Sequence, residues 1–196
     1  MVGALDLFAM TAVAGAILLV IAGTGHVRHL PALRAVLGAQ RLLPPRWRSP
    51  VATCVAVTEL AVGASVLTVQ FTTLLPASWS APAPAARMLM MAQCAIFAAF
   101  TGYLAVLRRV RPSAPCGCFA GNDPVGGPVI GRAALISAGT AGALFTPVQS
   151  PSPVIFAGAA VIAMLAWLLP ALHALRGERP ATRPAAPGVK QLTGPH

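Results

Sequence analysis

The segment VATCVAVTELAVGASVLTVQFTTLL, residues 51–75, carries a single ionisable side chain, Glu59, near its middle. A hydrocarbon core of about 30 Å is crossed by about 20 apolar residues of α-helix rising about 1.5 Å each. The segment meets that length as one unbroken block, without the strict alternation of a half-buried strand. It reads as a membrane span, and its neighbours read the same way. Ala4–Gly23, Arg87–Leu107 and Val154–Leu175 are apolar blocks that reach or approach the same length. A fifth block, Val129–Phe145, is shorter, rich in Gly and Ala, and carries Arg132 near its start. Its small residues suit close helix packing in lipid.

Composition agrees. Hydrophobic residues make up 57% of the 196-residue chain and charged residues only 9%, and the mean hydropathy is +0.76. These values lie far from the soluble globular average, so the expected class is an all-α integral membrane protein. The first block is too long for a signal h-region, and no Lys or Arg precedes it. It is expected to be a retained span, not a cleaved leader.

A formal charge of +10 invites a nucleic-acid reading, but no basic stripe is interleaved with aromatics as single strands require. The arginines sit instead at the ends of apolar blocks, where they meet headgroups and set orientation. With five spans, twelve of the fourteen Lys and Arg residues fall on one face: Arg28 to Arg48, Arg108 to Arg111, and Arg176 to Lys190. The expected arrangement is multi-pass in the cell membrane, N-terminus outside and C-terminus cytoplasmic. Trp47 and Trp79 fall at interfaces on opposite faces.

The connections differ in character. Residues 26–50 form a basic connector in which Leu30, Leu33, Val36 and Leu37 recur at helical spacing, suiting an amphipathic helix along the membrane surface. Residues 76–86 are a Pro/Ala loop. Residues 176–196 are basic and Pro-rich, the composition of a disordered tail. The chain divides into a transmembrane domain over 1–148, an additional helix over 149–175 and the tail.

Chemistry concentrates in APCGCFAGND, residues 114–123. Cys116 and Cys118 are two residues apart, a reach of at most about 7 Å, and a disulfide takes roughly 4.4–6.8 Å between Cα atoms. The two can therefore bond, in a small ring that strain makes labile. Gly117 allows the bend, Pro112 and Pro115 stiffen the approach, and Arg108, Arg109 and Arg111 favour thiolate. An exchangeable dithiol is the leading reading. Two others stand beside it: inert loop thiols, and a zinc or copper set of Cys116 and Cys118 with His26 and His29. Glu59 is the second candidate. An ionisable group at that depth costs a few kcal/mol to insert, so it serves a function or finds a polar partner. Cys54 lies near the same face as Cys116 and is a candidate third thiol, whereas Cys94 lies deeper and suits packing. A transporter reading, with Glu59 as coupling site, lacks the mid-helix Gly/Pro break such sites use.

Three stretches in order resemble the MauE family of methylamine utilisation, within the DoxX-like group. AGTGHVRHL resembles the family's small-Gly-x-x-Lys-x-Arg stretch, with His26 where the family has Lys. TELAVGASVL resembles its Glu-Leu-x-x-Gly segment. CGCFAGNDPVGGPVIGRAAL resembles its Cys-Gly-Cys-Phe-Gly motif followed by an Arg, with Ala120 in place of the last Gly. The resemblance implies a four-helix membrane core, here with a fifth C-terminal span. It also implies a role in forming or processing disulfides of an exported partner, in the namesake context the small subunit of methylamine dehydrogenase. Joined to the residues, it gives a membrane thiol–disulfide redox protein. Cys116 and Cys118 exchange with a thioredoxin-like partner and Glu59 moves a proton. A quinone as electron acceptor stays open, since no motif marks its site. The alternative is an assembly or metal-handling factor using Cys116, Cys118, His26 and His29.

Overall fold

A computed structural model describes residues 3–72, 83–112, 114–115, 126–145 and 152–177. The regular elements among them are six α-helices: α1 (Ala4–Arg28), α2 (Leu30–Gln40), α3 (Pro45–Thr72), α4 (Ala83–Val110), α5 (Gly127–Leu144) and α6 (Pro153–Gly177). In lipid every backbone polar group needs an internal partner, which a helix supplies within its own segment. Within α1, α3 and α4, the stretches Leu5–Arg28, Pro45–Thr72 and Pro84–Val110 are long and apolar enough to cross a membrane. The apolar part of α6 described as such, Pro153–Leu168, is shorter.

The helices extend past the apolar blocks read from sequence. α3 begins at Pro45, six residues before Val51, because a proline in the first turn lacks only an N–H that would have no helical partner there. α1 continues through the polar residues to Arg28. It ends where His29 leaves helical geometry (φ −125°, ψ 40°), and the His29 N–H donates to Gly25 O at 3.0 Å. Pro31 then opens α2. Arg41 closes it in the left-handed region at φ 52°, an uncommon conformation for a residue with a Cβ.

α1 is the central element and packs against α3, α5 and α6, while α4 packs on α5 and α3. One cluster of buried residues joins Val13, Leu18 and Leu19 of α1 to Phe97 of α4, Ile136 of α5 and Ile155 of α6. The α6 contact extends to α3, where the rings of Phe71 and Phe156 stack with centroids 4.7 Å apart. Apolar packing alone gives little net drive inside lipid, so polar ties between helices matter. Gln93 of α4, fully buried, donates from Nε2 to Ala12 O on α1 at 2.7 Å and to Thr140 Oγ1 on α5 at 3.3 Å. Arg132 of α5 donates from a guanidinium nitrogen to Ala166 O on α6 at 2.7 Å. These bonds fix the bundle from inside.

Candidate functional site

The site begins with the closeness of α1 and α3. A Cβ on Gly23 would lie 2.6 Å from the backbone nitrogen of Leu60, and one on Gly63 would lie 2.9 Å from Ala16 O and Val20 N. Only glycine permits that approach, since real Cβ contacts essentially never fall below 3.0 Å. One turn beyond Gly23 stands His26, and next to Leu60 stands Glu59. The seam brings them together: His26 Nδ1 lies 2.8 Å from Glu59 Oε2, with side chains 11% and 7% exposed. At that distance the two atoms share one hydrogen. Glu59 thus finds its polar partner in His26.

Beside this pair is a cavity of about 430 Å³, bounded by the end of α1, by α2, and by α3 and α4. That volume falls in the range of small-molecule sites, about 300–1,000 Å³. The connector expected to be amphipathic does form a helix, and its Leu33, Val36 and Leu37 line one wall of the cavity. Val55 of α3 with Ile96 and Phe100 of α4 continue the apolar lining. The polar groups on the wall are few. They are His26 and Glu59, then Gln40 and Tyr103, then Cys54 and Thr58.

Gln40 and Tyr103 form a second junction. Gln40 is 2% exposed. Its Nε2 donates to Pro115 O at 2.9 Å, and its Oε1 accepts from the Tyr103 hydroxyl at 2.5 Å. The end of α2, the last third of α4 and the strand of chain leaving α4 are therefore tied at one amide. Below it, Leu104, Leu107, Ala114 and Val129 form a separate buried cluster. Pro115 is the residue that precedes Cys116.

Cys116 and Cys118 themselves lie outside the described residues, as do Ala120 and Trp79. Cys54 is exposed and lines the cavity, its sulfur 4.0 Å from Thr58 Oγ1. Cys94 is half-buried and turns to α5, with Sγ 3.6 Å from Ser137 O. His26 and His29 do not share a helical face: α1 stops at Arg28, His26 points inward, and His29 is exposed at the corner. Among the described residues no three His, Cys, Asp or Glu side chains group as a metal site.

Sequence reasoning missed three members of this region. Arg132, noted as an interruption of a weak span and as the Arg that follows the Cys-Gly-Cys stretch in the family resemblance but not as a site residue, is buried and shares with His26 and Glu59 the lining of a second cavity of about 40 Å³. Gln40 sits inside the 26–50 connector and gives no sign of burial in sequence. Tyr103, the chain's one tyrosine, lies in the last third of a span, where the scarcity of polar rings was the available signal.

The fold and the site together define a helical membrane protein with an inward His–Glu pair beside a ligand-sized cavity. The model of the family described as methylamine utilisation protein MauE matches residues 4–146, well over half of the chain. The chain belongs to the MauE family, and by that membership is a membrane protein associated with methylamine utilisation. The match takes in α1 to α5, and α6 lies beyond it. No curated protein and no solved structure matches the chain.

Proposed function

We propose that this protein is a membrane thiol–disulfide exchange protein that helps form or process the disulfides of a partner. In the family's namesake setting the partner is the small subunit of methylamine dehydrogenase. In this reading α1, α3, α4 and α5 are the four-helix core, α6 is a fifth span, and the basic connector and tail face the cytoplasm. A thiolate of a thioredoxin-like partner attacks the Cys116–Cys118 disulfide and forms a mixed disulfide. The second partner thiol resolves it, leaving the partner oxidised and the Cys116–Cys118 pair as a dithiol. Two protons pass with the two thiols, and Glu59, held by His26, takes up or releases one of them.

The observation that carries this reading is the Gln40–Pro115 bond. It anchors the residue immediately before Cys116 to the wall of the cavity that Glu59 and His26 also line. A reactive dithiol needs a fixed approach, and a buried amide is a firm anchor for one. Arg108, Arg109 and Arg111 precede the loop and favour its thiolate form. Alkylation of the purified protein with a mass-tagged maleimide, before and after treatment with a disulfide oxidant, tests the cycle. Protection of two thiols that is lost in the Cys116→Ser variant supports it. Cysteines that stay alkylatable under every oxidant overturn it.

A further inference from the structure

The cavity between α2, α3 and α4 has features the exchange reaction does not use. Exchange with a partner needs only the cysteines and a proton carrier. It needs no space of about 430 Å³ with apolar walls inside the bundle. The lining also includes side chains exposed along the spans, Cys54 and Thr58 on α3 and Ala99 on α4. Where the helices are in lipid, that wall meets the acyl region, so an occupant is drawn from molecules dissolved in the bilayer. Two ring-bearing residues, Phe100 and Tyr103, lie three apart on α4 and share one face, as a flat ring would require for stacking. The hydrogen-bonding groups fall into two sets, His26 with Glu59 and Gln40 with Tyr103. A ring with a polar atom at each end matches two sets better than an acyl chain, which has none to offer.

We infer that this cavity is a binding site for a quinone, with one carbonyl oxygen facing the His26–Glu59 pair and the other facing Tyr103, whose hydroxyl hydrogen turns from Gln40 Oε1 to the quinone when it binds. This inference rests on the thiol-exchange reading, and it supplies what that reading lacks, a way to restore the disulfide. The dithiol loses two electrons and two protons as the sulfur–sulfur bond forms. One quinone takes up both electrons and both protons and leaves as the hydroquinone. His26 and Glu59 lie at the site where a proton must be passed to a developing hydroxyl. An ionisable pair in a membrane interior has few other uses that favour a place on a cavity wall.

Photolabelling of the full-length protein in phospholipid nanodiscs with an azido-substituted benzoquinone bearing a short alkyl tail tests the site. The expected labelled peptides come from α2, α3 and α4, and excess unlabelled quinone removes the label. Tyr103→Phe, which deletes one hydroxyl, and Ala99→Trp, which fills the cavity, are each expected to weaken competition by about tenfold or more. Circular dichroism of both variants checks the fold. The Cys116→Ser/Cys118→Ser protein is expected to label like the wild type. Label that a saturated alkane displaces as well as quinone does would overturn the inference in favour of a lipid groove, as would label outside these helices. The two ideas fail separately. Thiols that cycle with a thioredoxin-like partner but no cavity label would sink the quinone site alone. Cavity label in a protein whose cysteines never oxidise would sink the exchange role alone.

Discussion

His26 Nδ1 and Glu59 Oε2 meet at 2.8 Å across the α1–α3 seam, one turn beyond the glycine that lets the two backbones touch. A carboxylate in the middle of an apolar helix is tolerable when a cation or strong donor compensates it. Removing one partner is therefore worse than removing both. His26→Ala is expected to destabilise the detergent-solubilised protein by about 3–5 kcal/mol, the range for an orphaned buried charge. Glu59→Gln keeps an acceptor without the charge and is expected to cost about 0.5–1.5 kcal/mol. The double variant His26→Ala/Glu59→Gln should be destabilised by clearly less than the sum of the two single losses, with a coupling of about 0.5–3 kcal/mol. His26→Lys, which keeps a donor opposite Glu59, should retain most of the stability. Additive single effects in denaturant titration would show that the pair is not coupled.

The seam itself is a second target. A Cβ on Gly63 would lie 2.9 Å from Ala16 O, from Leu19 Cβ and from Val20 N, so any side chain there must drive α1 and α3 apart. Gly63→Leu is expected to cost at least about 1–3 kcal/mol, the typical penalty of overpacking, and to separate His26 from Glu59. Gly25, by contrast, has nothing within 4 Å of a built Cβ. Gly25→Ala should be neutral or slightly stabilising, since alanine is the better helix former. Thermal unfolding in detergent compares the two directly, and equal losses would mean the close approach does not set stability.

Much of this architecture is visible in the sequence, for a physical reason. Span length and apolar content are local properties, so α1, α3 and α4 announce themselves, and the i, i+3, i+7 spacing of Leu30, Leu33 and Leu37 announces α2. Glu59 stands out because charge at that depth is expensive. What the sequence hides is pairing at a distance. Tyr103 and Gln40 are 63 positions apart, and Gln40 and Pro115 are 75 apart. Their partnership depends on how α2 lies against α3 and brings its end to Tyr103, which no local pattern encodes. In the sequence His26 stands three residues from His29, as a candidate metal ligand beside it. It is inside because α1 runs one turn past its apolar block and stops at His29, turning the two histidines to different surroundings.

Gln40 holds two structures with one amide, and two variants separate them. Tyr103→Phe removes the hydroxyl donor to Oε1 and leaves the Nε2–Pro115 bond in place. Gln40→Leu removes both and leaves Pro115 O without that donor. A buried acceptor that loses its donor costs about 1–3 kcal/mol, so Gln40→Leu is the more damaging. If Pro115 anchors the Cys-Gly-Cys loop, Gln40→Leu should also change the alkylation rate at Cys116 by several-fold, whereas Tyr103→Phe should not. The readout is the rate of maleimide modification in the reduced protein. Unchanged rates in both variants would show that the anchor does not reach the cysteine.

Charge makes a testable prediction of the face on which the loop lies. Lys and Arg near span ends are held on the cytoplasmic side, and the loop is preceded by Arg108, Arg109 and Arg111 just as the connector carries Arg28, Arg34, Arg41, Arg46 and Arg48. The structure puts these two segments together, since Gln40 of the connector bonds to Pro115 of the loop. They therefore share a face whatever the orientation of the whole. A membrane-impermeant maleimide applied to intact cells should leave reduced Cys116 and Cys118 unmodified, and permeabilisation should expose them. Cys54→Ser and Cys94→Ser in the background remove the other thiols from the readout. Modification from outside would reverse the orientation and let an exported client meet the cysteines directly. Protection would require a cytoplasmic thioredoxin-like carrier as the immediate partner. Reversing the bias, by Arg-to-Gln changes at Arg108, Arg109 and Arg111 together with new lysines after Thr72, should shift the pattern toward external labelling if charge sets it.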